Sequence, residues 1–140
     1  MIPGGTLTTL HSFDRTNDGA MPEGGLFEGT DGNFYGTTFE GGGLCPSQGG
    51  CGTIFSLSVG LGPFLETEPA SGRIGAPVNI LGTSLTDATR VTFNGIATTF
   101  TVVSPSFIRT TVPTGATSGT VKVLTPGGPL VSNGPFRVKN

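Results

Sequence analysis

From Pro77 onward, apolar and polar residues alternate with a period of two. Val78 and Ile80 share one side of an extended segment, Pro77–Leu81, and Val91 and Phe93 share one side of another, Arg90–Phe93. A polar link joins them through Gly82-Thr83-Ser84 and Thr86-Asp87. Asn94-Gly95 closes the second segment with a dipeptide that favours a tight hairpin. The same alternation predicts strands over Phe64–Glu68, Ile96–Val103, Phe107–Val112, Gly119–Thr125 and Gly134–Lys139. Ile108, Thr110 and Val112 oppose Phe107, Arg109 and Thr111, while Val121 and Val123 oppose Lys122. Phe136 and Val138 oppose Arg137 and Lys139. Short strands with one apolar face each, separated by Gly/Pro turns, predict an immunoglobulin-like β-sandwich over residues 61–140.

Upstream, the pattern is denser in aromatics and turn glycines. It predicts strands over Leu7–Phe13, Leu26–Glu28, Phe34–Phe39 and Thr53–Val59, with Asp31-Gly32 as a hairpin turn between the second and third. Four short antiparallel strands within residues 1–60 describe one propeller-type blade. A lone unit of that size buries only about 60% of its unfolded surface. Phe13, Leu26, Phe27, Phe34, Tyr35, Phe39, Ile54 and Phe55 therefore need a cover. Three covers are open: the neighbouring domain, a copy from another subunit, or further repeats in a longer parent. Val59–Pro63 is the short, uncharged link between the two modules.

Composition sharpens this all-β picture. Gly (25) and Pro (11) supply about a quarter of the 140 residues and punctuate runs of Thr, Val, Ile and Phe, so strands and turns are expected and helices are not. The formal charge is -2 and the seven Lys and Arg are scattered, which argues against a nucleic-acid partner. No apolar run approaches the length of a membrane-spanning helix, so membrane insertion is not expected. The start, Met1-Ile2-Pro3-Gly4-Gly5, lacks the basic and apolar regions of a signal peptide. The chain is therefore expected to be a mature or excised piece, or Met1 an addition made for expression.

Cys45 and Cys51 are the two cysteines and frame CPSQGGC. With one histidine in the chain they cannot complete a four-ligand zinc site, so a local disulfide is expected, with free thiols in a loop as the alternative. Such a bridge closes a short loop, adds roughly 2 to 3 kcal/mol when unstrained, and indicates an oxidising compartment.

Candidate chemistry is sparse. His11 adjoins Ser12 and lies near Asp14, but neighbours on a strand point to opposite faces, so no nucleophile–base pair is expected. Asp14, Asn17 and Asp18 precede Gly19 like a calcium loop, yet the twelfth position counted from Asp14 is Gly25 where the EF-hand pattern needs Glu. Turn chemistry is expected there and at Asp31-Gly32-Asn33. Glu66 and Glu68 share a strand face; they are a pair for acid–base hydrolysis only if they border a cleft, and otherwise discourage edge pairing. Phe34, Tyr35 and Phe39 offer a platform for sugar rings or a face for another subunit. No helix follows a glycine-rich loop, so no phosphate cradle is expected.

Two stretches resemble known families. LHSF (Leu10–Phe13), DGNFYGTT (Asp31–Thr38) and GTIFSL (Gly52–Leu57) resemble the GloVer-type tandem repeat of large bacterial surface and secreted proteins. In that family the repeats come in arrays, whereas this chain holds one copy. The segments Pro69-Ala70-Ser71-Gly72, Gly75–Gly82, Val91–Gly95, Ile108 with Val112-Pro113, Gly119–Val123 and Phe136–Val138 resemble the IPT/TIG immunoglobulin-like domains. The sandwich lacks the inter-sheet disulfide and core Trp of antibody domains, since both cysteines lie upstream and the chain has no Trp.

The resemblances and the absence of a catalytic constellation lead to one expectation. The chain is a non-enzymatic extracellular or cell-surface module, structural or adhesive, without metal or cofactor, and able to join copies into a ring or filament. The alternative is a carbohydrate-binding accessory module of a secreted polysaccharide-degrading protein. DNA binding, known for some IPT/TIG members, is opposed by the acidic balance.

Overall fold

The computed structural model describes residues 8–43 and 50–140. Among them there are strands and turns and no helix. The strands are β1 (Phe27–Glu28), β2 (Asn33–Thr37), β3 (Ile54–Ser58), β4 (Glu66–Glu68), β5 (Ser71–Arg73), β6 (Pro77–Leu81) and β7 (Arg90–Phe93). They continue with β8 (Ile96–Thr98), β9 (Phe100–Ser104), β10 (Phe107–Thr111), β11 (Val121–Thr125), β12 (Gly128–Val131) and β13 (Arg137–Lys139). The chain divides into two compact units. The first comprises residues 1–28 and 34–57, and the second comprises 29–33 and 58–140.

The second unit is the sandwich. One sheet has the order β4-β6-β10-β9 and the other β12-β11-β7-β8. Val78 and Ile80 of β6 and Ile108 of β10 meet Val91 and Phe93 of β7 and Val121 and Val123 of β11 in one buried cluster, closed by Leu65, Leu85, Val112 and Phe136. Period-two patterning dictates this arrangement, because each of these strands has one apolar face to hide. The Asn94-Gly95 hairpin forms as expected between β7 and β8, with both residues at positive φ (45° and 91°).

Three features depart from the pattern. The expected strand Ile96–Val103 is broken at Thr99, because the chain leaves one sheet and enters the other there. The Thr99 carbonyl accepts from the Thr110 hydroxyl at 2.7 Å in place of a ladder bond. β5 lies in a stretch without alternation and pairs in parallel with β13, Arg137 opposite Ser71 and Lys139 opposite Arg73. β12, GPLV, is an edge strand that opens on two turn residues, and its Pro129 is tolerated because one side of an edge strand needs no donor.

The first unit is a small sheet of order β1-β2-β3. β1 and β2 are antiparallel, and the intended hairpin at Asp31-Gly32 forms, with the Asp31 carboxylate accepting from the backbone and side chain of Asn33 at 3.1 and 2.8 Å. The expected strand Leu7–Phe13 does not form over its described part, residues 8–13. Leu7 lies outside the described residues. Ala20 instead bridges Glu40, beyond the end of β2, through reciprocal backbone bonds of 2.7 and 3.1 Å. The segment 8–13 is held by side chains: Phe13 packs edge-on against Phe55, ring centroids 4.9 Å apart.

The two units differ in what holds them. Among the described residues, every buried hydrophobic side chain lies between Leu65 and Phe136. The interior of the first unit is polar. The Thr53 amide donates to the Thr38 hydroxyl at 2.8 Å, the Thr38 amide donates to the Thr53 carbonyl at 2.9 Å, and the Thr53 hydroxyl donates to the Asp18 carbonyl at 2.8 Å.

Candidate functional site

The first unit presents two apolar surfaces, one on each face of its sheet. Gly36 sets the inner face. A Cβ there would lie 2.5 Å from the Phe55 ring and 2.9 Å from Leu26, so only glycine lets Phe55 of β3 and Leu26, just before β1, close over β2. Beyond them opens a cleft of about 620 Å³ whose apolar lining comes from Leu10, Phe13, Leu26, Phe55 and Leu57. His11 stands at its rim, edge-on to Phe13, and pairs with the Asp18 carboxylate. Ser56 also borders the cleft but has no hydrogen bond to His11 among the described residues. His11 is thus oriented by a carboxylate.

On the outer face, Phe27 stands directly opposite Tyr35 in the β1–β2 ladder. Phe39 lies further along on the same side of the chain as Tyr35 and Thr37. Phe27, Phe39 and Ile54 are 70%, 69% and 81% exposed, and Tyr35 is 37% exposed. Met21 and Glu23 border Phe39. The expected trio of Phe34, Tyr35 and Phe39 is therefore divided by the pleat. Phe34 and Tyr35 are neighbours on β2 and project to opposite faces, so Phe34 belongs to the inner side. Phe27 and Ile54 take its place beside Tyr35 and Phe39; the cross-strand register, invisible without the fold, puts Phe27 there.

The other candidates fall into structural roles. The Asp14 carboxylate accepts from the Thr16 amide at 2.9 Å and from the Asn17 side chain, and the Asp14 carbonyl accepts from the Asn17 and Asp18 amides at 3.0 and 3.1 Å. The Thr16 backbone bond, followed by the Asn17 amide, holds the Asp14 carboxyl below its ordinary value. Those oxygens close a turn, as the sequence suggests. Arg15 pairs with Glu40 across the same corner. Glu66 and Glu68 occupy exposed positions on β4, the edge of its sheet, beside Leu81 and Asn79. Cys51 sits at the base of a loop, between Gly50, which bridges Gly41, and Gly52, whose amide donates to the Gly41 carbonyl at 3.1 Å. Cys45 lies outside the described residues.

Among the described residues no helix is long and apolar enough to cross a membrane. No curated protein matches the chain in sequence. Among solved structures, the chain is similar to an auxiliary nutrient binding protein from Bacteroides ovatus, with TM-score 0.47 and 23% identity over 53% of this chain and 20% of that one. It is also similar to SGBP-B from a complex xyloglucan utilization locus in Bacteroides uniformis, with TM-score 0.46 and 15% identity over 81% of this chain and 30% of that one. The chain thus spans less than a third of the length of either protein. Residues 65–138, more than half of the sequence and the whole of the buried core, match the sequence model of the IPT/TIG domain, and the chain belongs to that family.

Proposed function

We propose that this chain is a non-enzymatic structural or adhesive module of an extracellular or cell-surface protein. In this reading the IPT/TIG unit is the stable scaffold, and the first unit, a single GloVer-type repeat, offers its outer sheet face to a macromolecular partner. One observation carries it: the first unit leaves Phe27, Phe39 and Ile54 more than two-thirds exposed on one face, while all buried hydrophobic side chains described belong to the scaffold. Contiguous exposed apolar surface of this kind marks interaction sites in soluble proteins. A Cys45–Cys51 bridge would suit an oxidising compartment.

The test is association through that face. Sedimentation velocity on the oxidised chain, with Phe39→Lys and Ile54→Lys combined as the control, should show self- or surface-association that the double variant loses. Equal behaviour of the two proteins would remove the reading.

A second reading rests on the Phe27–Tyr35 pair. An aromatic pair with a phenolic hydroxyl at a wet surface is a platform for a sugar ring, and the module would then serve polysaccharide binding. Affinity electrophoresis through polysaccharide gels decides it: retardation of the wild type that Tyr35→Ala abolishes would favour the glycan.

A further inference from the structure

Charge is divided unevenly between the units. The first carries five carboxylates (Asp14, Asp18, Glu23, Glu28 and Glu40) against Arg15 alone, whereas the second carries six Lys and Arg against four carboxylates. The basic residues of the second unit are not spread evenly either. The outward side of the sheet β4-β6-β10-β9 mixes Arg109 with Glu66 and Glu68. The outward side of β12-β11-β7-β8 has cations only, since none of these four strands contains an acidic residue.

On that second face, Leu124 stands opposite Arg90 of β7 and Pro129 of β12, and Lys122 stands opposite Thr92 and Val131. Arg90, Lys122 and Leu124 line a shallow groove of about 300 Å³. Leu124 is 45% exposed and Val131 36%. The face is thus apolar in its middle and cationic across it. That is the chemical complement of the first unit's outer face, where Phe39 lies beside Glu23. Arginine and lysine bind ring faces and carboxylates alike, and opposite potentials steer two such patches together.

We propose that the outer face of the first unit (Phe27, Tyr35, Phe39 and Ile54) docks on the Arg90–Lys122 face of a second copy of this chain. The inference rests on the reading that the outer face takes a macromolecular partner, and it names that partner. The two faces differ, so the contact is head to tail and propagates: each copy keeps one free face, and copies add until a ring closes or a filament extends.

The experiment uses two variants of the full chain, each with one face disabled at exposed positions. Arg90→Glu with Lys122→Glu removes the basic face, and Phe39→Lys with Ile54→Lys removes the aromatic one. Light scattering behind size-exclusion chromatography should find the wild type larger than a monomer at low salt, with the mass falling toward a monomer at about 0.5 M salt, where charge attraction is screened within a few Å. Each variant alone should be monomeric. Mixed in equal amounts, they should form a dimer and nothing larger, because only one complementary pair of faces survives. A wild type that stays monomeric at low salt overturns the proposal. If Arg90→Glu/Lys122→Glu assembles like the wild type while Phe39→Lys/Ile54→Lys does not, the basic face is the wrong partner and the aromatic-face reading survives. Wild-type assembly in both variants overturns both.

Discussion

Phe93 and Phe136 meet edge to face in the middle of the sandwich, ring centroids 5.0 Å apart and planes at 87°, and both are 1% exposed. One ring comes from β7, the other from the segment just before β13, where Phe136 exchanges backbone hydrogen bonds with Gly119 at 2.8 and 3.0 Å. The pair therefore joins the centre of one sheet to the bridge that leads into the last strand. Phe136→Ala removes the contact and leaves a cavity, and should cost about 3 to 5 kcal/mol. Urea unfolding followed by circular dichroism measures it; a loss under about 1 kcal/mol would mean that the core closes over the gap.

The Asn94-Gly95 turn sets the register of β7 against β8. Gly95 lies at φ 91°, and the Asn94 amide donates to the Thr117 hydroxyl at 2.8 Å. Gly95→Ala should lower stability by about 1 to 2 kcal/mol, the cost of a Cβ in left-handed backbone, with the denaturant slope unchanged.

Thr38 is 6% exposed and its hydroxyl accepts from the Thr53 amide while donating to the Glu40 carbonyl at 3.1 Å. Thr38→Val keeps the volume and removes both bonds. We expect a loss of about 1 to 3 kcal/mol confined to the first unit. Hydrogen exchange would show it as faster exchange at the Thr53 amide and unchanged protection in β6, β7, β10 and β11.

Asp14 gives the first unit a pH dependence. Its carboxyl titrates below the ordinary 3.8 because the folded turn donates hydrogen bonds to the ionised form. A depressed folded value means that the turn's contribution is complete above the unfolded-state value and disappears as pH falls through the folded one. Carbon-detected NMR should place the Asp14 midpoint below 3.8. A midpoint at or above that value would contradict the turn, and Asp14→Asn should remove the dependence.

A Cys45–Cys51 bridge predicts an oxidised chain that takes up no thiol label until reduced. Reduction should loosen the loop at the base of which Cys51 sits, by about 2 kcal/mol from loop closure, and leave the IPT/TIG unit's unfolding unchanged. Label uptake by the native, unreduced protein would rule the bridge out.

The sandwich was readable from sequence wherever a strand hides one face. Val78 with Ile80, Val91 with Phe93, and Val121 with Val123 announce themselves by alternation, and Asn94-Gly95 by its backbone needs. β5 and β12 have no such signal. Ser71-Gly72-Arg73 and Gly128-Pro129 are strands only because a neighbouring strand supplies hydrogen bonds, and that information is tertiary. Leu7–Phe13 shows the converse. β-prone Thr and Leu residues pattern correctly, but Ala20 and Met21 take the backbone groups of Phe39 and Glu40 that follow β2. The exposed aromatic face was half legible: Tyr35 and Phe39 stand out in the sequence, and Phe27 required the β1–β2 register.

The parallel pairing of β5 with β13 has a mechanical consequence. β5 lies near the start of the IPT/TIG unit and β13 at its end, and they run in the same direction, tied further by the Arg137 amide to the Ala70 carbonyl at 3.0 Å. Tension along the chain pulls the leading end of β5 and the trailing end of β13 apart along the strand axis. Their hydrogen bonds are then loaded together in shear and cannot open one by one like a zip. Resistance of that kind is set by the rate of unfolding under load, not by equilibrium stability. Extension between Ser71 and Lys139 therefore meets more resistance than it would across a pairing that opens from one end.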